Sequence, residues 1–206
     1  MKEWKGNADA ARAAIGAKKR GSNTEREPDD FYATDPVALQ KLLDGCSKWL
    51  DAIFSDAQRR GVWECACGNG NLAKLLEDRL FDVHATDLKD RGYGIPGIDF
   101  LQSKISGYPI ILTNPPYSLA TEFAEHALEI LLEGGVYIAL MNITYFAGQK
   151  RYQKLYSKLA LREIYVFSKR IECLKNNTPS GHSSIANYAW FVFQKGYSGQ
   201  PTLYWL

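Results

Sequence analysis

The segment VWECACGNGNLAKLL, residues 62–76, sets the architecture of this chain of 206 residues. An apolar run passes into a turn that contains Gly68 and Gly70, and apolar residues then recur at helical spacing. A strand, a glycine-bearing turn and a helix N-terminus bring backbone N–H groups close to a ligand, because glycine has no Cβ to block the approach. The pattern predicts a nucleotide-type ligand, although a turn that needs a positive φ also explains the two glycines.

Short apolar strands and amphipathic helices alternate from Gly61 onward. The predicted strands are VWECA (62–66), DVHATD (82–87), PIILTN (109–114), GVYIALM (135–141), REIYVF (162–167) and NYAWFVF (187–193). The predicted helices cover residues 37–54, with a possible break at Gly45, and residues 71–80, 119–133 and 148–159. This order is typical of an α/β fold with a mostly parallel central sheet and helices on both faces.

Length and composition favour one folded domain. Hydrophobic residues make up 46% and aromatic residues 13% of the chain, which excludes global disorder. We expect a loosely ordered basic arm at residues 1–27, where seven Lys or Arg face four acids, and a single domain at residues 28–206. An apolar run of about 20 residues and a signal-peptide core are both missing, so we expect a cytoplasmic protein.

Charge and cysteine content restrict the partners. The net charge of +2 is too small to indicate nucleic acid by itself, but bases gather between residues 148 and 175. A solvated helix face explains this run as well as a nucleic-acid contact does. Residues 168–184 lack periodicity and indicate a long loop. The four cysteines lack zinc-type spacing, so no metal is expected. The candidate nucleic-acid contacts are Lys150, Arg151, Lys154, Lys169 and Arg170.

Two acids follow the glycine turn at a spacing that suits an adenosine group. Asp87 ends the second strand about 20 residues after the turn, where doubly wound folds place an acid that accepts from ribose hydroxyls. Asp99 lies twelve residues after Asp87, and Phe100 follows it directly. This pair can offer a carboxylate to an exocyclic amine and a ring to an adenine face. Asp99 taken alone is equally well explained as a turn residue.

The most specific signal is TNPPYS, residues 113–118, directly after the third strand. The prolines Pro115 and Pro116 stiffen the chain and have no N–H groups, which leaves carbonyl oxygens directed into the site. The side-chain oxygen of Asn114 and the Pro115 carbonyl can both accept from one amino group, and Tyr117 offers a π-face to a planar base. A turn explains the prolines but not the flanking Asn and Tyr, so these four residues are the predicted catalytic group.

With these residues the chain resembles the amino-methyltransferases that modify adenine or cytosine, and closely resembles small phage and prophage-type DNA adenine methyltransferases. The resemblance runs from about Gly21 to the C-terminus, and the family's catalytic tetrapeptide matches Asn114 to Tyr117 at every position. Asn at its first position favours adenine over cytosine. The resemblance implies a Rossmann-like S-adenosylmethionine-dependent methyltransferase fold of about seven strands, S-adenosylmethionine as cofactor, and DNA as partner.

The resemblance also implies which residues bind the cofactor. In that family a segment before the first strand, matched here by DFYATDP (30–36), closes over the methionine part of the cofactor. The family often has proline where this chain has Cys65 in the glycine turn. The expected cofactor-binding residues are Phe31, Tyr32, Thr34, Pro36, Glu64, Ala66, Gly68, Gly70, Asp87, Leu88, Asp99, Phe100 and Asn114.

The acceptor and the source of specificity stay open at the level of sequence. The same chemistry serves RNA adenine, the DNA cytosine 4-amino group or a protein glutamine amide. A catalytically silent nucleic-acid-binding subunit is the alternative from another class, but it has no need of Asn114 and Tyr117 together. The 43 residues between Gly70 and Asn114 are all needed for core elements. We therefore expect no separate target recognition domain, and either a short or relaxed recognition site or a protein partner that supplies specificity.

Overall fold

The computed structural model describes residues 33–149, 152–156, 160–169, 171, 173–174 and 187–206. The expected basic arm lies outside the described residues. Some of the predicted site residues also lie outside them, namely Phe31, Tyr32, Lys150, Arg151, Arg170 and the side chain of Lys154.

Ten strands and four α-helices make up this described part. The strands are β1 Ala33–Thr34, β2 Val62–Glu64, β3 Val83–Asp87, β4 Ile95–Pro96, β5 Ile110–Thr113, β6 Val136–Asn142, β7 Leu161–Val166, β8 Cys173–Leu174, β9 Tyr188–Gln194 and β10 Thr202–Trp205. The helices are α1 Val37–Gly45, α2 Lys48–Arg60, α3 Asn71–Asp78 and α4 Ala120–Ile130. Short helical turns occur at Phe100–Gln102, Tyr117–Leu119, Ile143–Phe146 and Tyr152–Tyr156.

Eight strands form one mostly parallel sheet in the order β4-β3-β2-β5-β6-β9-β7-β10. Only β9 runs antiparallel to its neighbours in this sheet, β6 and β7. Strands β1 and β8 form a separate antiparallel pair. Because β2 lies between β3 and β5, the chain reverses its direction of winding there, and ligands bind α/β sheets at the carboxyl ends of strands around such a point.

The helices cover both faces of the sheet. The alternation of side chains along β2 places Val62 in a core cluster with residues of α1, α2 and α3, and Trp63 in a second cluster with residues of α4. Both clusters extend across the sheet to β9, where Trp190 joins the first and Phe191 the second. The predicted α/β fold with helices on both faces is therefore confirmed.

All six predicted strands are present, with ends shifted by one or two residues. The first is shortened, because the chain turns at Cys65 directly after Glu64. The predicted first helix is divided in two at Cys46–Ser47, and the Ser47 side chain caps α2 by accepting from the Leu50 N–H at 3.1 Å. Of the helix predicted at residues 148–159, the described residues show the turn at Tyr152–Tyr156. The predicted loop 168–184 includes the unexpected strand β8.

Candidate cofactor and catalytic site

A cavity of about 490 Å³ opens at the carboxyl ends of β2, β3 and β5. This position is the expected ligand site of a doubly wound sheet. The sequence-predicted residues that line it are Thr34, Glu64, Ala66, Gly68, Asp87, Leu88, Asp99, Phe100, Asn114 and Pro116. The predicted residues Pro36, Gly70, Pro115 and Tyr117 do not line it.

The turn after β2 is held to the end of β3 by Asp87. The Gly68 N–H donates to Asp87 Oδ2 at 2.8 Å, and the Lys89 N–H donates to Oδ1 at 2.9 Å. The Arg91 Nε lies 3.9 Å from Oδ1. A carboxylate has about four acceptor positions, so Asp87 can hold the turn and still accept from a ligand hydroxyl.

Gly70 shapes this turn from outside the cavity. Its φ is +81°, and a Cβ built on it would lie 2.3 Å from the Tyr93 ring. The Tyr93 hydroxyl donates to Glu77 at 2.7 Å, and the Lys74 ammonium lies 4.9 Å from the ring centroid. Tyr93 therefore covers Gly70 closely, and only glycine fits at this position without displacement of the ring.

Glu64 is a buried carboxyl group at the inner end of the cavity. Glu64 is 2% exposed, and within the described part of the chain its Oε2 has no hydrogen-bond partner. Burial raises the pKa of Glu64 well above its ordinary value, and the charge of Asp87 adds to this rise. A buried polar oxygen without a partner is costly, so its presence beside a cavity favours a ligand that hydrogen-bonds to it or carries a positive charge.

The tetrapeptide after β5 contributes to this cavity and also packs against the core. Asn114 lines the cavity, and its Nδ2 donates to the Thr34 hydroxyl at 2.9 Å. Tyr117 packs against the first core cluster, where its ring stacks on the buried Tyr188 with centroids 6.2 Å apart. The Tyr145 hydroxyl donates to the Tyr117 carbonyl and helps to hold the turn.

Comparison with known proteins by sequence identifies a curated relative of low identity. No sequence profile of a known protein family matches the chain. The Type II restriction enzyme and methyltransferase RM.BcgI of Heyndrickxia coagulans is 26% identical over 140 residues. This match includes 59% of the present chain but only 21% of that protein. The chain therefore spans about a fifth of the curated relative that it matches.

Comparison by structure gives a broader match. A candidate RNA methyltransferase, PH1948 of Pyrococcus horikoshii, is 17% identical, with a TM-score of 0.61 over 92% of this chain and 98% of that one. A candidate class I S-adenosylmethionine-dependent methyltransferase of Listeria monocytogenes is 13% identical, with a TM-score of 0.59 over 97% of this chain and 72% of that one. The fold is that of the class I S-adenosylmethionine-dependent methyltransferases.

Within this methyltransferase fold, Asp99 and Phe100 occupy different environments. Asp99 is exposed, and its Oδ1 accepts from the Leu101 N–H at 3.0 Å. Phe100 is buried, with its ring edge-on to Trp63 at 5.2 Å and 4.8 Å from the Phe123 ring. The carboxylate is accessible to a ligand, whereas the ring forms part of the cavity wall through its core packing.

A second cavity of about 230 Å³ lies at the same edge of the sheet, beyond Tyr188. Trp205 lies at its rim and is 70% exposed, so a large aromatic side chain is open to solvent beside this cavity. Lys169 is exposed near the end of β7, and it alone among the predicted nucleic-acid contacts has a described side chain. The residues lining this cavity are Ile143, Val166, Phe167, Asn187, Tyr188 and Trp205.

Several residues at the two cavities escape prediction from sequence. Asn71, Lys89 and Arg91 line the first cavity, and their positions just after the glycine turn and just after Asp87 are a usable signal. Phe123 also lines it, but on sequence it is only one apolar residue of an amphipathic helix. Tyr188 likewise has the pattern of an ordinary core strand, so no sequence signal separates it from its neighbours.

Two further findings concern metal sites and membranes. Among the described residues, no group of three or more His, Cys, Asp or Glu is arranged to hold a metal ion. In the same part of the chain, no helix has the length and apolar character to cross a membrane.

Proposed function

We propose that this chain is an S-adenosylmethionine-dependent methyltransferase that methylates the exocyclic 6-amino group of adenine in DNA. The observation that carries the proposal is the position of Asn114. Its amide lines a cavity suited to an adenosine-type cofactor, while the partly exposed Tyr117 of the same tetrapeptide lies outside that cavity, with its ring stacked on the buried Tyr188. A polar group in the cofactor cavity with a partly exposed aromatic ring three residues away suits transfer to a planar base.

The residues of the first cavity fit S-adenosylmethionine. Asp87 would accept from ribose hydroxyls, as acids at this position do in doubly wound folds, and the exposed carboxylate of Asp99 would accept from the adenine amine. Glu64 fits the ammonium group, because its buried Oε2 needs a donor and a positive charge would stabilise the carboxylate. When bound, this cofactor supplies an electrophilic methyl group on a sulfonium sulfur.

Asn114 and Pro115 are the groups that would act on the acceptor. An adenine amine is a poor nucleophile, because its lone pair is delocalised into the ring. Acceptors at Asn114 Oδ1 and the Pro115 carbonyl would favour a more tetrahedral nitrogen as the new bond forms. The work of these residues is therefore orientation and charge placement.

The acceptor base would lie on the Tyr117 side of the tetrapeptide. Extrusion of a base from duplex DNA costs a few kcal/mol, which stacking in the site must offset. The partly exposed Tyr117 and the exposed Trp205 place aromatic surface along this edge, and Trp205 and the buried Tyr188 both line the second cavity. Base stacking on aromatic rings contributes about 1–3 kcal/mol per base.

The choice of DNA rests on the relative and on charge. RM.BcgI is a restriction enzyme and methyltransferase by name, and the basic residues between 148 and 175 suit phosphates better than base edges. A specificity-providing protein partner belongs to this proposal, since phosphate contacts position a protein without reading sequence. RNA adenine is the second candidate acceptor.

Incubation with tritiated S-adenosylmethionine and a panel of DNA, RNA and protein substrates tests the proposal. We expect label in DNA, recovered as N6-methyladenine on nucleoside analysis. Asn114→Ala should lose most transfer and keep its cofactor affinity within a few-fold, because Asn114 acts mainly in the transition state. Label in RNA or protein alone would overturn DNA as the acceptor. Cofactor binding without transfer to any substrate would identify a catalytically silent subunit.

A further inference from the structure

Thr34 connects the glycine turn to the catalytic tetrapeptide. Its hydroxyl oxygen accepts from Asn114 Nδ2 at 2.9 Å, across 80 residues of sequence. Its backbone carbonyl accepts from Asn71 Nδ2, also at 2.9 Å, and Asn71 is the first residue of the helix after the glycine turn. A single residue thus contacts side chains from both halves of the proposed site.

The surroundings of Thr34 hold it in place. Thr34 is 6% exposed and pairs with Cys173 in the antiparallel β1–β8 ladder. A buried β-branched side chain in a strand has a restricted χ1 angle. The position of the hydroxyl is therefore fixed, and a side chain that hydrogen-bonds to it is held in a defined orientation.

An asparagine amide needs such a partner to have a defined orientation. The terminal torsion of Asn is broad, and its two ends differ chemically, since one donates and the other accepts. Because Asn114 Nδ2 donates to Thr34, Oδ1 is on the opposite end of the amide. That end is the acceptor which the proposed reaction uses.

We infer that Thr34 is a positioning residue for methyl transfer, which orients the Asn114 amide through its hydroxyl and links it to the glycine turn through its carbonyl. This role rests on the proposed function and differs from a simple cofactor contact. A cofactor contact changes cofactor affinity, whereas a positioning contact to Asn114 changes kcat.

Two variants of Thr34 separate the hydroxyl from the shape of the side chain. Thr34→Val keeps the volume and removes the hydroxyl, and Thr34→Ser keeps the hydroxyl and removes a methyl group. Loss of one oriented hydrogen bond to a group that acts in the transition state should lower kcat about 10- to 100-fold in Thr34→Val. Thr34→Ser should retain most of kcat, and cofactor dissociation constants from calorimetry should stay within a few-fold in both.

Thr202→Val is the matched control. It makes the same chemical change at an exposed position of β10, so its kcat should equal that of the wild type. Both threonine-to-valine changes are also made in an Asn114→Ser background with residual turnover. If Thr34 acts through Asn114, Thr34→Val has little further effect there.

The side-chain amide signal of Asn114 in a ¹H–¹⁵N NMR spectrum gives a readout without turnover. The signal is assigned by its loss in Asn114→Ser, and we expect it to shift in Thr34→Val and to stay in place in Thr34→Ser. An unmoved signal in Thr34→Val overturns the inference, even where the wild type transfers no methyl group and the proposed function itself has failed. With an active wild type, unchanged kcat in Thr34→Val, or an equal loss in the Asn114→Ser background, also overturns it.

Discussion

Replacement of Gly70 by alanine is the most direct probe of the glycine turn. Gly70 has a φ of +81°, and an added Cβ would lie 2.3 Å from Tyr93 Cδ1 and 2.4 Å from its Cγ. Alanine there must adopt a left-handed conformation and also displace the Tyr93 ring. Displacement of the ring breaks the hydrogen bond of Tyr93 to Glu77 and its contact with Lys74.

The two costs can be estimated separately. A left-handed conformation costs a residue with a Cβ about 1–2 kcal/mol. Overpacking against a ring that must move costs about 1–3 kcal/mol more. Gly70→Ala should therefore lower the free energy of unfolding by about 2–5 kcal/mol. Gly92 has nearly the same φ, +80°, but nothing lies within 4 Å of its Cβ position. Gly92→Ala should show the first cost alone.

Urea unfolding measures both variants, and calorimetry measures their affinity for S-adenosylmethionine. Gly70→Ala should also bind the cofactor more weakly, because the displaced Tyr93 moves the turn that carries the Gly68 N–H. Tyr93→Ala in the Gly70→Ala background should recover the steric part of the loss. Equal destabilisation by Gly70→Ala and Gly92→Ala, or unchanged cofactor affinity in Gly70→Ala, would refute this reasoning.

Three further predictions follow from the site. Asp87→Ala should raise the dissociation constant for S-adenosylmethionine about 10- to 100-fold in calorimetry, since hydrogen bonds to a charged group contribute about 1.5–3 kcal/mol. The control is Asp90→Ala, which removes a similar 2.9 Å turn contact to the Gly92 N–H and should leave the dissociation constant unchanged. Burial raises the pKa of Glu64, so the folded cofactor-free protein keeps this proton at pH values where the unfolded chain has lost it. The free energy of unfolding of the protein should therefore decline as pH rises above 4.5, the ordinary pKa of a Glu side chain. Urea unfolding at several pH values should show that Glu64→Gln lacks this part of the decline. An identical pH dependence in both proteins would contradict this expectation. Trp205→Ala should raise the KM for DNA about 5- to 100-fold in steady-state assays through lost stacking. Leu203 is exposed on the same face of β10, and Leu203→Ala should leave the KM unchanged. An equal effect of both substitutions would count against a base-binding role of Trp205.

The order of the core elements could be predicted because it is local information. Apolar runs such as PIILT and GVYIALM are long enough to show a buried strand, and the spacing of apolar residues shows the helices. The short strands β1, β4, β8 and β10 could not be predicted. Three of them have only two residues, too few for any periodicity, and β1 and β8, which pair with each other, lie far apart in sequence.

In the candidate site, too, the residues set by local sequence could be predicted and the contacts between distant segments could not. The positions of Asn114, Gly68 and Asp87 in the cavity wall could be predicted, because each lies at or just after the carboxyl end of a strand. The role of Gly70 against Tyr93 could not, since it depends on a loop that folds back across the turn. The stacking of Tyr117 on Tyr188 likewise joins the turn after β5 to the first residue of β9, and these two strands are not adjacent in the sheet.

By itself the sequence determined the alternation of strands and helices and the glycine turn, and it predicted the acceptor chemistry that we propose for Asn-Pro-Pro-Tyr, because each depends on the nature and spacing of neighbouring residues. Only the tertiary structure decided that Thr34 contacts Asn114, that Glu64 has a buried acceptor without a partner in the described part of the chain, and that Trp205 is exposed beside a cavity. These features arise where segments far apart in sequence meet. Burial and hydrogen-bond partners at such places are set by packing, which no local pattern encodes.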